Sequence, residues 1–456
     1  MYNDARRLNM IKKTTLMILL SALVVLLFGC SGVDTNTTLN TTTQEATTIT
    51  PTSSTEDITE DTTTESFVGF MDVDMGYEHV VALSESHRVY AWGVNVHGQL
   101  GDGSTTRRTE PVDITNSFSL LLGEVVVEIG VGHMNSMALT SFNRLFIWGS
   151  NANGQISNQE ILLSQTPIDI TDSLPLNDNE RIIKFDLGAG HIGVLTSQGR
   201  LFSWGYNKYG QVGNRENNNS VYTPVDITNY FGLRPGETII DMSYGYMHSS
   251  ALTSENRIFT WGYNTLGQMG DWSTVHKNWP IDISSYFILD EQEVIEKISM
   301  GYYHSSAISS LGKVFTWGYN EYGQLGVNAE YQYNMAPQNI TDYFDLDEEE
   351  TILNIYLGGW HSSAISTQGQ LFMWGMSNDG RLAIDSQDNI YLPTPINDAF
   401  SLEEEERIVE ISLGSWSSIA LTNEGRLFAW GYNNDGRLGI GTLFNSHEPL
   451  EIKIEE

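Results

Sequence analysis

The chain predicts an all-β fold in which one four-stranded unit is repeated seven times around an axis. Three observations carry that prediction. Trp92, Trp148, Trp204, Trp261, Trp317, Trp374 and Trp430 are each followed by glycine, and the intervals between them are 56, 56, 57, 56, 57 and 56 residues. A fixed period of this length marks a repeat architecture and overrides a domain count taken from the 456-residue length. Within each period, short runs alternate polar and apolar residues with turn signals between them, which argues antiparallel strands rather than helices. Four strands per unit, repeated radially, is the propeller pattern.

The fifth unit shows the pieces in order. Residues 295–300 alternate, Gly301 follows, and residues 305–309 form a second run. Leu311-Gly312 turns the chain into residues 313–317, which end on Trp317, and Pro337-Gln338-Asn339-Ile340 closes the unit. Glycine lies sixteen residues before every repeat Trp, at 76, 132, 188, 245, 301, 358 and 414. That position calls for positive φ or for a close backbone approach. Ala82, Ala138, Ala251, Ala307, Ala364 and Ala420, with Val194 in the third unit, are small enough to let sheets approach, and the Trp residues fill between them. Asn95, Asn151, Asn207, Asn264, Asn320 and Asn433 suit turns, while the sixth unit departs with Ser377, Arg381 and Ala383. Six connectors begin with Phe118, Leu174, Phe231, Phe287, Phe344 and Phe400, and each has a glutamate six residues on, Glu124 to Glu406. The apolar residues read as plugs, and the glutamates as acceptors for backbone N–H groups at the next strand's start. The acid runs at 347–350 and 403–406 read as solvated connector faces.

The unit Gly-x-x-His-x-x-Ala-Leu, a turn, then Val/Leu-Phe-x-Trp-Gly-x-Asn-x-x-Gly-Gln-Leu-Gly resembles the regulator-of-chromosome-condensation repeat. The resemblance covers all seven units, residues 67–456, and implies a seven-bladed β-propeller. The family's namesake is a guanine-nucleotide exchange factor that uses a protruding β-wedge, and intervals of 56 or 57 leave no unit room for one. Another member is a secreted propeller that inhibits a β-lactamase with one face.

Lys12 and Lys13, extended by Arg6 and Arg7, precede an uncharged, almost wholly apolar run over 14–28, too short for a bilayer span but suited to a secretory signal. The initiator is Met1 or Met10. Leu27-Phe28-Gly29-Cys30 resembles a bacterial lipobox, which implies cleavage before Cys30 and lipidation of its thiol. Cys30 is the chain's one cysteine, so an intramolecular disulfide and a cysteine metal cluster are both excluded. Residues 31–66 hold fifteen Thr and four Ser and no aromatic, the composition of a disordered tether open to O-glycosylation. The organisation expected is a lipoprotein signal over 1–30, a linker over 31–66 and the propeller over 67–456, anchored outside the cytoplasm to a bacterial cell membrane.

The formal charge of -34 comprises +3 over residues 1–30, -7 over 31–66 and -30 over 67–456. An array this acidic repels nucleic acid. No phosphate loop, nucleophile elbow, zinc helix or calcium loop motif is present. His79, His191, His248, His304 and His361 share one repeat position, replaced by Asn135 and Ser417. Asn and Ser are poor metal ligands and good hydrogen-bonding groups, so these histidines read as structural, each bonding within its own blade. Neither a metal nor another cofactor is expected, and the chain reads as a monomeric, non-enzymatic module. What varies between units is the set of aromatic residues after each repeat glycine and each Trp-Gly: Tyr206, Tyr246, Tyr263, Tyr302, Tyr303, Tyr319, Trp360, Trp416 and Tyr432. These are the candidate partner-binding residues, for a protein or a glycan. Nucleotide exchange on a small GTPase and an extracytoplasmic enzyme are the alternatives.

Overall fold

The computed structural model describes residues 68–328, 332–386 and 388–454. The signal, Cys30 and the linker lie outside the described residues. A compact unit over Thr64–Glu456 holds seven four-stranded antiparallel sheets. Each is built from four consecutive strands, giving blades over 70–113, 126–169, 182–226, 239–282, 295–339, 352–395 and 408–452, numbered 1 to 7 here. The ring therefore closes with whole blades and without exchange of a strand. Blade 5 runs Ile295–Met300, His304–Ser309, Val314–Tyr319 and Tyr333–Asn339. Its outermost strand starts four residues before the Pro337 expected from sequence, because the strand is too exposed to show a clean alternation.

First strands of successive blades touch all the way round, including blade 7 against blade 1, so they surround the axis. At their ends the repeat glycines form a closed ring. A Cβ on Gly76 would lie 2.2 Å from the Gly132 carbonyl, one on Gly301 2.9 Å from the Gly358 carbonyl, and one on Gly414 2.7 Å from the Gly76 carbonyl. None of these seven has positive φ. Of the two reasons for glycine left open by the sequence, close approach is the one that applies.

Inner strands are also sheet edges, whose free N–H groups need partners. Side chains from the neighbouring blade supply several of them. Asp74 accepts the Val131 N–H at 2.7 Å, Asp186 the Tyr244 N–H at 2.9 Å, Ser243 the Met300 N–H at 3.1 Å and Ser412 the Met75 N–H at 2.9 Å.

Blades are latched by one recurring arrangement. Every repeat Trp is fully buried, and its indole N–H donates to a backbone carbonyl in the preceding blade: Trp317 to Gln268 at 2.9 Å, and, across the seam, Trp92 to Arg437 at 2.9 Å. The Gln268 carbonyl also accepts the Ser305 hydroxyl at 2.8 Å, which fills both of its lone pairs. Since the Ser305 proton is spent there, His248 Nε2–H must donate to Ser305 Oγ, at 2.9 Å. The histidine bond thus crosses to the next blade, to Ser136, Ser249, Ser305, Ser362 and Ser418, and is not internal to a blade as expected. Where the chain replaces His by Asn135 or Ser417, the next blade replaces Ser by Ile192 or Val80, so donor and acceptor are lost together.

The connector glutamates also differ in detail from the reading of the sequence. Glu124, Glu180, Glu237, Glu293, Glu350 and Glu406 each accept the N–H three residues earlier within their own connector, not at the next strand. Five of them pair with a cation on the following turn, as Glu237 does with Arg257 at 2.6 Å. The hydrogen bond from Arg257 is the largest cause that draws the Glu237 carboxyl down to about 2. Phe118, Phe231, Phe287, Phe344 and Phe400 do plug the blade junctions, edge-on to the next blade's Trp at 5.4 to 5.7 Å.

Two measurements test this framework. Burial pushes His79, His191, His248 and His304 down to about 3, and His361 well down. Unfolded, they titrate near ~6.5, so between that pH and 3 the unfolded chain binds protons that the folded chain refuses. Burial likewise pushes His133 down to about 4, while it raises Asp72, Asp74 and Asp186, the last to about 6, and these three act in the opposite sense. Stability should fall by roughly 2–3 kcal/mol per pH unit between pH 6 and 5, read from urea midpoints; a flat profile refutes it. In a double-mutant cycle, His304→Ala and Ser362→Ala should couple by about 1 kcal/mol. Asn135→Ala with Ile192→Ala, which lack the bond, should be additive.

Candidate functional site

Two sets of loops share one end of the axis. The loop after each repeat glycine joins the first and second strands, and the loop after each Trp-Gly joins the third and fourth. Pairing of His304 with Gly318, and of its equivalents, places both at the same end. The connectors and the second-to-third turns lie at the other end. The variable aromatic positions therefore all fall on one face.

The structure brings seven of the nine sequence-derived residues into a continuous layer. Tyr246 and Tyr302 lie 4.9 Å apart, centroid to centroid. Tyr303 contacts Tyr246 at 5.6 Å, Trp360 at 5.5 Å, Tyr263 at 6.2 Å and Tyr319 at 6.5 Å. Tyr206 joins through Tyr209 at 6.3 Å. The other two, Trp416 and Tyr432, form a separate pair at 6.3 Å in blade 7. Each of these is covered by a buried guanidinium: Arg381 lies 4.8 Å from Trp416 and Arg437 5.2 Å from Tyr432.

Five further rings complete the layer. Tyr77 of blade 1 stacks on Tyr302 of blade 5 at 6.1 Å with 10° between planes. His133 of blade 2 sits 4.1 Å from Tyr77 and 5.7 Å from Tyr246. Rings from blades 1, 2, 4 and 5 thereby meet over the axis. Further out, Tyr322 packs 5.6 Å from Trp360, and His276 and Tyr209 lie 4.8 and 4.9 Å from Tyr263. Sequence reasoning passed over Tyr209 and Tyr322, although both hold the same place five residues after their Trp. His133 holds the step after its repeat glycine that Tyr77 and Tyr246 hold, where a histidine does not read as an aromatic.

The layer is half-buried. Burial raises Tyr302 far above the ordinary tyrosine range and pushes Tyr303 up to about 12. Tyr319 is raised by burial and by its hydrogen bond to Glu321, an exposed carboxylate at the rim. Lys208 stands 5.5 Å over the Tyr209 ring. Among the described residues no three His, Cys, Asp or Glu side chains are grouped to hold a metal ion. What the face offers chemically is flat apolar area with hydroxyl groups able to donate or accept, the composition of a docking surface.

Comparisons with known proteins bear on the whole array. A family model described as the RCC1-like domain matches residues 161–456, and regulator of chromosome condensation (RCC1) repeat models match residues 86–139 and 72–99. The ultraviolet-B receptor UVR8 of Arabidopsis thaliana is 26% identical over 389 residues, covering 84% of this chain and 81% of the receptor. The human E3 ubiquitin-protein ligase HERC2 is 26% identical over 371 residues, which span 80% of this chain but 7% of the ligase. Among solved structures, Prp20p of Saccharomyces cerevisiae superposes with a TM-score of 0.69 at 20% identity, over 85% of this chain and 88% of Prp20p. Human WBSCR16 gives 0.68 at 22% identity, over 80% of this chain and 95% of that one. With four antiparallel strands in each of seven blades and these matches, the chain belongs to the RCC1-like domain family of regulator of chromosome condensation repeats.

Proposed function

We propose that this propeller is a non-catalytic docking module that binds a partner protein through its aromatic face. The observation that carries the reading is the contiguous layer of twelve rings, assembled from loop positions that differ between blades while the framework beneath them repeats. A fold needs no such layer, since the Trp, Gly and Phe positions already close the ring. Rigid, half-exposed Tyr and Trp side chains give large contact area at little entropic cost. Protein binding has a parallel in Prp20p, whose structure is described together with its binding to Gsp1p and histones. Among the described residues each sheet holds four strands, with no additional element to perform nucleotide exchange.

The second half of the proposal is placement. A lipid on Cys30 would hold the module at the outside of a bacterial cell membrane, with residues 31–66 as a tether of roughly 30–35 Å. The described chain starts at residue 68, on the connector end of the axis, where Phe70 N–H bonds to the Gly425 carbonyl in a second-to-third turn.

Each half has its own test. In a pull-down from surface extracts with the purified chain, Tyr302→Ala with Trp360→Ala should reduce partner recovery at least ~10-fold, the loss expected of hot-spot residues. Phe142→Ala, exposed on the connector face, should not. Equal recovery in both puts binding elsewhere. For the anchor, Cys30→Ala should abolish acyl-chain labelling and release the protein from the membrane fraction; labelling that persists removes the lipoprotein reading.

A further inference from the structure

The connector end of blade 2 departs from its repeat. The connector that leads into this blade closes in a tight turn, with the Glu124 N–H donating to the Leu121 carbonyl at 3.0 Å. Leu122 stands at the tip of the turn, wholly exposed, and Leu121 beside it is 56% exposed. The same two steps hold Asn177-Asp178 in the next connector and Glu403-Glu404 in the last, and no other connector places two apolar side chains there. The adjoining second-to-third turn carries Phe142, 52% exposed. Its counterparts are Ser86, Gln198, Glu255, Gln368 and Glu424, with Leu311 in blade 5. The turns therefore form with polar residues at these steps, and the fold does not require the three apolar groups.

The two loops are laced into one projection. Ser141 N–H donates to the Val125 carbonyl at 2.8 Å, Val125 N–H to Ser141 Oγ at 3.1 Å and Arg144 Nη1 to the Ser119 carbonyl at 2.9 Å. Glu124 and Arg144 are the only charges in residues 118–125 and 141–144, and they pair at 2.8 Å. An array of net charge -30 thus presents a neutral, apolar point here, while its acid runs at 347–350 and 403–406 lie on the connectors into blades 6 and 7. A stable protein interface takes about 20–30 residues a side, and three side chains on two turns fall far short of what a second copy would need. A bilayer asks for neither that area nor a fixed spacing. Apolar side chains on a projecting turn enter the boundary between headgroups and acyl chains, and each gains by leaving water. The described chain also starts at this end of the axis. An anchor on the residues before it would make a weak contact at this end intramolecular, which raises its occupancy without any new contact.

We propose that Leu121, Leu122 and Phe142 form a bilayer-contact point, by which the connector end of blade 2 rests on the membrane surface. The inference takes its setting from the anchor proposed above, but its test does not depend on it. The full-length protein is coupled through Cys30, its one cysteine, to maleimide-bearing lipid in phosphatidylcholine vesicles. Attachment is then chemical and no partner protein is present, so the contact, the cellular lipidation of Cys30 and the docking face hold or fail separately. Phe142→Trp puts an indole on the turn, and brominated phosphatidylcholine should quench it beyond the quenching of the parent chain. Leu121→Asn with Leu122→Asn, added to it, should cut that excess at least ~10-fold. The thermal midpoint should not change, because polar residues serve the same steps in other connectors. Leu311→Asn should leave the excess as it was. The proposal is overturned if there is no excess quenching, if the double asparagine variant is quenched equally, or if Leu311→Asn removes the excess as fully, which moves the contact to blade 5. It is equally overturned if the uncoupled chain is a dimer that the double variant dissolves, or if it captures a surface protein only with both leucines intact, since the leucines then serve a protein partner.

Discussion

The structure depends on a carbonyl that accepts twice. In blades 1, 3, 4, 5 and 6, one backbone oxygen in the third-to-fourth loop receives both the indole N–H and a serine hydroxyl from the next blade. The serine in turn takes the proton of a histidine that belongs to the first blade. Each of these five blades thus reaches forward with His and is reached back by Trp. Removing a buried Trp of this kind costs about 3–5 kcal/mol from packing alone, and the carbonyl would then stand unpaired in an apolar junction, which costs a further ~1–3 kcal/mol. No blade can bury its own Trp, so a blade has little stability outside the ring. That is the usual logic of repeat proteins, in which interfaces outweigh units.

The latch also explains why the face above it can vary. Backbone positions at the loop bases are fixed by the glycine ring, by the Trp-carbonyl bonds and by Asn side chains such as Asn264, whose Oδ1 accepts the Met269 N–H at 3.0 Å. Residues one or two steps beyond these fixtures point away from the junctions and carry no framework duty. Tyr302, Tyr303 and Trp360 occupy such steps. A surface held rigid from below and free in composition above is suited to recognition, because little ordering entropy remains to be lost on binding.

The period of 56 or 57 residues, the four strands and the inter-blade role of Trp were legible because each rests on local pattern: alternation, turn residues, recurring glycine. Interactions between units were less so. The histidine's partner shows in the sequence only as a correlation between each unit and its successor, His79 with Ser136 but Asn135 with Ile192 and Ser417 with Val80. The aromatic residues were picked out as a set, but their contiguity was not. Tyr77 and Tyr302 belong to blades 1 and 5 and touch only because loops from opposite sides of a ring converge on its axis. No spacing along the chain carries that. The carboxylates that cap the inner strands, Asp74 and Asp186, were hidden for the same reason: their partners Val131 and Tyr244 lie one blade away.

The seam between blades 7 and 1 shows what the repeat does when its connector is missing. Every other junction has a covalent connector with its Phe or Leu plug. This one joins the two ends of the array, and it also lacks the His–Ser bond, since Ser417 faces Val80. Charge and side-chain bonds take up the load. Arg437, in place of the glutamine used by blades 1 to 5, donates to the Tyr77 carbonyl at 2.8 Å and pairs with Asp435 in its own loop. Ser415 Oγ donates to the same Tyr77 carbonyl at 2.8 Å, and Ser412 Oγ to Asp74 at 2.8 Å. Trp92 keeps the common latch by donating to the carbonyl of Arg437 itself. A glutamine would carry no positive charge for Glu78, 3.9 Å from the guanidinium. Arg381 makes the same substitution one junction earlier, where it donates to the Ser415 carbonyl. Of the two arginines that break the pattern of the repeat, Arg437 therefore bridges the closing seam and Arg381 the junction before it. Because Arg437 also covers Tyr432, the closure and one sector of the aromatic face share that side chain.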